Sequence, residues 1–160
     1  MSDQTVTPVR EEILQGKPFK SLGQEAAIDL LRTADVVRRR LGGALAAHGI
    51  TGPQYNVLRI LRGAGKEGLC TLAVAHRLIE RAPGITRMLD RLEARGWVRR
   101  ERSATDRREV RCYLTAAGSA LLAETDGVVE LLDSETVTAL TEAEGRQLIQ
   151  LLDKLRSGLR

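Results

Sequence analysis

Apolar residues recur every three or four positions through most of this chain, which is the spacing of a helix with one buried face. The clearest stripe predicts a first long helix from Leu22 to about Ala47. Its members are Leu30, Ala34, Val37, Leu41 and Leu45. Near residue 110 the rhythm changes, because Val110, Cys112 and Leu114 alternate with other residues as on one face of a strand. In chain order the pattern predicts helices at 22–47, 53–62, 72–79 and 83–95, strands at 97–100 and 110–114, and helices at 115–140 and 142–156.

Hydroxyl residues mark the predicted helix starts, because their side chains can accept from an early backbone N–H group. Three of them also have Gln or Glu three positions later, and this capping box lets the later side chain reach back to the cap. The three pairs are Ser21 with Gln24, Thr51 with Gln54, and Thr141 with Glu144. Thr71 and Thr115 are also predicted to cap helices, Gly49 is predicted to end the first long helix, and Ala82 before Pro83 is a poor cap.

The order of elements is four helices, a hairpin and two more helices, after a loose arm with a short helical turn near Val9–Gln15. Two helices joined by a short turn and followed by a two-stranded wing make a winged helix-turn-helix. We therefore predict a mainly α fold with a small β-hairpin wing. The Leu-rich terminal helices would be partly exposed in a lone domain, so we predict that they form a dimer. The predicted regions are a flexible arm at 1–20, an N-terminal dimerisation helix at 21–50, a winged helix-turn-helix lobe at 51–114, and C-terminal dimerisation helices at 115–160.

Length and composition exclude several classes of protein. The 160 residues suit one domain, and 42% apolar with 2% aromatic residues predicts a core of aliphatic side chains. No apolar run of about 18 residues and no apolar signal core are found, so we expect a cytoplasmic location and no membrane partner. Cys70, Cys112, His48 and His76 do not have the spacing of a disulfide framework or a metal site. No paired carboxylates, nucleophile–base set or phosphate loop stands out, so we predict neither an enzyme nor a cofactor.

Basic charge is concentrated between Arg77 and Arg111. This stretch has eleven Arg, no Lys and six acids, a net of 11 − 6 = +5, whereas the whole chain has 25 − 21 = +4. The guanidinium fork suits phosphates and guanine edges, so the stretch predicts a surface that binds DNA. Residues 112–145 have seven acids and no Lys or Arg, and we expect this block to lie away from DNA.

The helix predicted from Pro83 has a polar side opposite its apolar residues. That side carries Thr86, Arg87, Asp90 and Arg91. A recognition helix presents such a side to the major groove, where Arg87 and Arg91 can read guanine or bind phosphate. Asp90 is expected to orient a neighbouring Arg rather than to contact DNA. The alternative is an ordinary solvated helix face, which the adjacent wing makes the weaker interpretation.

The predicted wing tip includes Asp106, Arg107 and Arg108. Asp106 can accept from the turn backbone and hold the Arg108 guanidinium, and a held Arg can enter a minor groove, where the negative potential is deepest. The other arginines of the basic stretch are expected to meet phosphates or nearby acids. They include Arg77, Arg95, Arg99, Arg100 and Arg102.

Three segments together resemble one known family. The run Asp106-Arg107-Arg108, followed by Leu114-Thr115-x-x-Gly118, resembles the wing signature of the MarR family of transcription regulators. Residues 86–93 followed by Gly96-Trp97-Val98 resemble its recognition helix and first wing strand, and residues 51–58 resemble its second helix. The match covers roughly residues 22–157, and it is the combination of segments that is specific.

The resemblance implies a homodimer that binds a pseudo-palindromic operator in double-stranded DNA, with recognition helices in major grooves and wings in flanking minor grooves. Arg108 matches the family's wing-tip Arg, and Asp106 matches the acid that orients it. A repressor of this kind is released by a small phenolic or lipophilic effector bound between the dimer region and the DNA lobe. The competing hypothesis is a winged-helix adaptor that binds proteins and no operator, and the Arg-rich wing argues against it.

Two departures from the family's pattern stand out. The first helix has no Cys, so oxidant sensing at that position is not supported. Cys112 is expected to be inert packing in the wing, whereas Cys70 can be exposed. Pro83-Gly84 stands where many relatives have Ser or Thr at the start of the recognition helix.

Overall fold

The computed structural model describes residues 6–81, 83–102 and 110–159. Its elements are α1 (Val9–Glu12), α2 (Leu22–Ala46), α3 (Gly52–Ala64), a 3-10 turn (Gly65–Glu67), β1 (Leu69–Cys70), α4 (Thr71–Arg77), α5 (Ile85–Ala94), β2 (Val98–Arg102), β3 (Val110–Leu114), α6 (Ala116–Thr136) and α7 (Glu142–Gly158). A mainly helical chain with one small antiparallel sheet confirms the predicted fold class. The helices found in the described ranges lack the combination of length and apolar content that a bilayer crossing needs. The chain divides into two compact units, residues 1–40 and residues 41–160.

The first unit contains α1 and most of α2. The Ser21 side chain accepts from the Gln24 N–H at 3.1 Å as predicted, but the Gln24 side chain accepts from the Lys20 N–H at 2.7 Å instead of reaching Ser21. Arg32 Nε donates to Glu12 Oε2 at 2.8 Å, and this bond raises the pKa of the Arg32 guanidinium. The short helix predicted in the arm is thus present as α1 and is joined to α2 by an ion pair.

The second unit is built around an aliphatic core. Helix α3 turns Val57, Leu58 and Leu61 inward, and α5 contributes Leu89 and Leu92. The other buried apolar residues of this core are Leu45, Ile50, Tyr55, Val74, Val98, Cys112, Leu121, Leu122 and Val129. Removing these side chains from water is the main favourable contribution to folding. It also fixes which sides of α3 and α5 remain at the surface.

Several helix ends match the sequence prediction. Thr51 and Gln54 form a complete capping box, and so do Thr141 and Glu144. The hydrogen bonds from Thr141 lower the pKa of Glu144, because they stabilise its charged form. Gly49 has φ +66°, a left-handed conformation that a Gly adopts without strain, and α2 ends just before it.

Helix α4 differs from the prediction at both ends. It begins at Thr71, so Thr71 is not its cap, and Cys70 occupies the cap position without a side-chain hydrogen bond. It ends at Arg77, two residues before the predicted Ile79. The cause is Asn56 on α3, whose side-chain oxygen accepts the Ile79 N–H at 3.1 Å and so withdraws it from the helix.

Helices α3 and α7 each run two residues beyond the predicted end, and boundaries of α5 and α6 were also predicted wrongly. Helix α5 begins at Ile85 and not at Pro83, because Gly84 has φ +94° and ψ 29°, a left-handed geometry outside the helical region. Helix α6 ends at Thr136 and not near Leu140. Three consecutive β-branched residues lie at its C-terminal end, and such residues have low helix propensity.

The wing sheet has three strands in the order β1-β3-β2, not two. Strand β1 was missed because two residues are too short to show a strand period. Strand β2 runs from Val98 to Arg102, two residues beyond the predicted end. In its antiparallel pairing with β3, Arg100 lies opposite Cys112 and Arg102 lies opposite Val110. Cys112 is fully buried, which confirms its predicted inward face.

The base of the wing is joined closely to the start of α6. The Thr115 hydroxyl donates to the Gly96 carbonyl at 2.6 Å and accepts from the Gly118 N–H at 3.0 Å. A Cβ atom added to Gly118 would lie 2.3 Å from the Trp97 carbonyl oxygen, so only Gly fits this approach. The Leu114-Thr115-x-x-Gly118 run therefore holds the wing sheet in close contact with the start of α6.

Candidate nucleic-acid interface

Helix α5 has a buried side and a solvent side, as the sequence predicted. Leu89 and Leu92 are buried, and Ile85 and Met88 are half-buried against the core. The four predicted site residues of this helix are all exposed. They are Thr86, Arg87, Asp90 and Arg91. The apolar side thus anchors α5 in the lobe and leaves this polar side available to a ligand.

An open groove of about 330 Å³ lies beside α5, between the start of α3 and the turn before α5. Its lining residues are Thr51, Pro53, Gln54, Pro83, Gly84, Arg87, Met88 and Arg91. Within residues 6–81, 83–102 and 110–159, neither Arg87 nor Arg91 has an ion-pair partner. Among the described residues, no side chain caps the α5 N-terminus, because Gly84 holds the cap position. Two unpaired guanidinium groups and an uncapped helix start make this surface suited to phosphate.

Asp90 pairs with Arg100 on the wing strand β2. Its Oδ1 lies 2.6 Å from Arg100 Nη2. Glu93 holds the same Arg100 more extensively, because it accepts from the backbone N–H at 3.0 Å and from Nε at 2.8 Å. These carboxylates, with Glu93 contributing most, raise the pKa of Arg100. The cluster joins β2 to α5 and fixes the wing base against this helix.

Two other arginines of the basic stretch contact protein groups. Arg95 Nη1 donates to the Gly49 carbonyl at 3.2 Å, and its guanidinium lies 5.0 Å from the centre of the Trp97 ring. Arg99 pairs with Glu101 and lies 4.6 Å from the centre of the Tyr113 ring. The expectation of nearby acids is thus confirmed for Arg99, whereas Arg95 binds a carbonyl and an aromatic face instead.

The predicted wing-tip residues Asp106, Arg107 and Arg108 lie outside the described residues. The flanking strands are described up to Arg102 and from Val110, which face each other in the antiparallel register. The roles predicted for the wing tip therefore remain predictions.

A second open cavity, of about 520 Å³, lies at the wing base near the start of α6. Its lining includes the apolar Leu61 and Leu114, the aromatic Tyr113, and the cations Lys66 and Arg99. The remaining lining residues are Arg62, Gly65, Thr115, Ala116 and Ser119. An apolar wall beside cationic groups suits a small anionic or phenolic molecule.

The two cysteines differ in environment. Burial raises the pKa of the Cys112 thiol, although a contact of 3.9 Å with the Thr71 hydroxyl partly opposes this. A buried thiol with a raised pKa is a poor nucleophile, in agreement with the predicted packing role. Cys70 is half-buried. In the part of the chain that the structure describes, no cluster of three or more His, Cys, Asp or Glu has the arrangement of a metal site.

Sequence reasoning missed Glu93 and the specific role of Arg100. The signal was present, since Asp90 and Glu93 are three residues apart on one helix face and Arg100 follows seven residues after Glu93. Which Arg would reach these acids depended on the strand register, and the predicted strand boundaries did not fix it.

Similarities to known proteins agree with this geometry. The sequence model of the MarR family matches residues 50–110. The HTH-type transcriptional repressor Rv2887 of Mycobacterium tuberculosis (strain ATCC 25618 / H37Rv) is 30% identical over 80% of this chain and 91% of its own length. A MarR transcription factor from Planctomyces limnophilus has 38% identity and a TM-score of 0.66, over 85% of this chain and 98% of that one. The MepR–DNA complex of S. aureus has 25% identity and a TM-score of 0.75, over 81% of this chain and 95% of that one.

Proposed function

Because this chain belongs to the MarR family of DNA-binding transcription regulators, we propose that it is a homodimeric repressor with a pseudo-palindromic operator. In this proposal each protomer places α5 in a major groove and its wing in the adjoining minor groove. A small phenolic or lipophilic effector lowers the affinity for DNA. The protein acts in the cytoplasm and catalyses no reaction.

One observation carries the proposal: Arg87 and Arg91 are exposed on the outer side of α5, with no ion-pair partner among the described residues. Keeping two arginines unpaired beside an uncapped helix start favours a polyanionic partner. We assign Arg87 and Arg91 to base edges or phosphates, Thr86 to phosphate, and Asp90 to an ion pair with arginine rather than to a contact with DNA.

The wing tip completes the proposed interface. We assign Arg108 to the minor groove, Asp106 to holding the Arg108 guanidinium, and Arg107 to the phosphate backbone. Support comes from the antiparallel pairing that brings Arg102 and Val110 together at the base of this segment. A basic side chain held at such a tip is attracted by the deep negative potential of a narrow minor groove.

The dimer is proposed from the apolar surface of α7. No residue of this helix is buried, and four of its large apolar side chains are 42–61% exposed. They are Leu148, Ile149, Leu151 and Leu155. A second copy would cover such a surface. We accordingly keep 21–50 and 115–160 as dimerisation regions, 51–114 as the DNA-binding lobe, and 1–20 as an N-terminal arm.

The effector proposal is supported by the cavity at the wing base. Its apolar lining residues and the Lys66 ammonium suit a small phenolic molecule that carries negative charge. A thermal-shift screen of such compounds, followed by gel shifts with those that bind, identifies effectors that release DNA. A screen in which no binder alters DNA affinity would remove the effector from the proposal and leave the repressor.

The test of operator binding starts from a randomised duplex library. The wild-type chain should enrich an inverted repeat, and each half-site should be protected in a footprint. An Arg87→Ala variant should bind the enriched duplex about 10- to 100-fold more weakly, the range expected for losing a bidentate contact in both half-sites. Enrichment of no sequence, together with no binding at low salt, would contradict the proposal and favour a protein-binding adaptor.

A further inference from the structure

Asp90 lies on the same side of α5 as Arg87, three residues further along the helix. At this spacing an Arg and an Asp on an exposed helix surface are neighbours and attract each other. The structure shows a different pairing. The Asp90 carboxylate binds Arg100 on β2 at 2.6 Å, and among the described residues Arg87 has no ion pair.

Arg100 is fixed independently of Asp90. Its backbone N–H and its Nε both donate to Glu93, at 3.0 and 2.8 Å, and its Nη2 also lies 2.6 Å from Glu93 Oε2. Its backbone is held opposite Cys112 in the sheet. The Arg100 side chain is 22% exposed, whereas that of Asp90 is 50% exposed. Arg100 is therefore held in place, whereas the Asp90 side chain can change its partner.

We propose that Arg100 is a positioning residue that holds Asp90 towards the wing and thereby keeps Arg87 free for DNA. The proposal rests on the DNA-contacting role assigned to Arg87 above. Asp90 then has two alternative partners, Arg100 and Arg87. The presence of Arg100 on β2 determines which of them the Asp90 carboxylate binds. Without Arg100, the Asp90 carboxylate turns to Arg87, neutralises its charge and occupies its donors.

Glu93 provides an internal control, because it contacts Arg100 but is six residues from Arg87. Six residues on a helix correspond to about 600°, which places Glu93 about 120° around the helix from Arg87 and more than one turn further along it. Loss of the Arg100 side chain leaves both acids without an ion pair, yet only Asp90 has Arg87 within reach. The effects of the two acids on DNA binding and on stability are therefore separable.

The test uses Arg100→Met, which keeps an aliphatic side chain but removes the charge and the donors. It is combined separately with Asp90→Asn and with Glu93→Gln, and each protein is measured for affinity to the duplex enriched by the wild type and for thermal unfolding. We expect Arg100→Met to weaken DNA binding about tenfold, as for the partial loss of one Arg contact in each half-site. Adding Asp90→Asn should return the affinity to that of Asp90→Asn alone.

Adding Glu93→Gln should raise the unfolding temperature of Arg100→Met, because it removes a carboxylate left without its partner, but should not restore DNA affinity. Equal rescue of affinity by both substitutions, or none by Asp90→Asn, would overturn the positioning role. If Arg100→Met does not fold, Arg100→Lys replaces it, since Lys keeps the charge but not the fork of donors. Rescue of the Lys variant by Asp90→Asn is then the expected result, and its absence contradicts the inference.

An Arg87→Ala variant separates this inference from the proposed function. If Arg87→Ala binds the enriched duplex as tightly as the wild type does, the assignment of Arg87 to DNA is wrong and the inference fails with it. If Arg87→Ala loses affinity but Asp90→Asn does not rescue Arg100→Met, the DNA contact stands and the positioning role alone is wrong.

Discussion

Arginine residues of the basic stretch divide into two groups by what their guanidinium groups contact. Arg95, Arg99 and Arg100 bind carbonyl, aromatic or carboxylate groups of the protein. Arg87 and Arg91 have no ion-pair partner in the described part of the chain and face solvent. The net charge of this stretch therefore overstates the number of arginines left for a sequence-specific contact.

The sequence identified the exposed arginines of α5 because a helix period fixes which side chains face outward. It did not identify the Arg100 cluster, since Asp90 and Glu93 meet Arg100 only through the packing of β2 on α5. Periodicity describes one element at a time. Contacts between elements depend on the register in which the strands pair. The predicted end of β2 was wrong by two residues, so the sequence did not predict that register.

Gly118 provides a residue-scale prediction about stability. Gly118→Ala should lower the free energy of unfolding by about 3 kcal/mol, because its Cβ would lie 2.3 Å from the Trp97 carbonyl oxygen. Urea denaturation measures the change. The matched control is Gly127→Ala in the same helix, where nothing lies within 4 Å of the added atom. That variant should gain about 0.5–1 kcal/mol, and a similar loss in both would show that the close approach at Gly118 is not the cause.

The ion pair between Arg62 and Asp126 gives a prediction with a defined pH dependence. Both oxygens of Asp126 accept from Arg62, at 2.7 and 3.1 Å, and this bonding lowers the pKa of Asp126. A lowered folded-state pKa contributes stability above the unfolded-state pKa of about 3.9, and the contribution is lost as the pH falls through the folded-state value. Asp126→Asn should thus cost about 0.5 kcal/mol at pH 7, the value for a pair more than one-third exposed, and progressively less below about pH 4.

Asp133→Asn, on the same helix, is the control for that measurement. Asp133 has no ion pair among the described residues, so its substitution should leave the free energy of unfolding unchanged at pH 7. Urea denaturation of both variants and the wild type at pH 7, 5 and 3.5 gives the comparison. A deficit of Asp126→Asn that stays constant down to pH 3.5 would contradict the assigned cause.

At the scale of whole elements, the order of long helices and wing strands was predictable and their ends were less so. The C-terminal end of α4 is set by Asn56, and the start of α5 is set by the left-handed conformation of Gly84. A side-chain acceptor on another helix leaves no local signature in the sequence. Capping boxes were predicted well at Thr51 and Thr141, because each is complete within four residues.

The wing gives a prediction at this scale. Arg108→Ala should weaken binding to the enriched duplex about tenfold, because a minor-groove Arg is lost from each wing. Fluorescence anisotropy with a labelled duplex measures the change. Arg146→Ala, which removes an exposed Arg paired with Glu142 on α7, should leave the affinity unchanged. Equal affinities of the two variants would show that the wing tip does not dock on DNA.

At the scale of the whole molecule, the apolar surface of α7 predicts self-association. Ile149 is 61% exposed, so Ile149→Glu removes no buried contact within one protomer but places a charge in the proposed interface. Light scattering should show a dimer for the wild type and a shift of at least about tenfold in the dissociation constant for the variant, as for a charge buried at an interface. Gln150→Glu introduces the same charge at the adjacent position and should remain dimeric. A monomeric wild type would contradict the proposed assembly.

The distribution of charge along the chain fits one DNA-binding side. The stretch 77–111 has a net charge of +5, whereas residues 112–145 have seven acids and no Lys or Arg. A local excess of basic charge attracts a polyanion and raises the rate of association. It also makes the affinity sensitive to salt, because each phosphate contact releases counterions.

The salt dependence of binding to the enriched duplex tests the central claim most directly. The logarithm of the association constant should fall linearly with the logarithm of salt concentration, with a slope of about −0.9 per phosphate contacted. At each salt concentration the enriched duplex should bind more tightly than a scrambled one, and Arg87→Ala should reduce that preference. Affinities that are independent of salt and equal for the two duplexes would contradict the account.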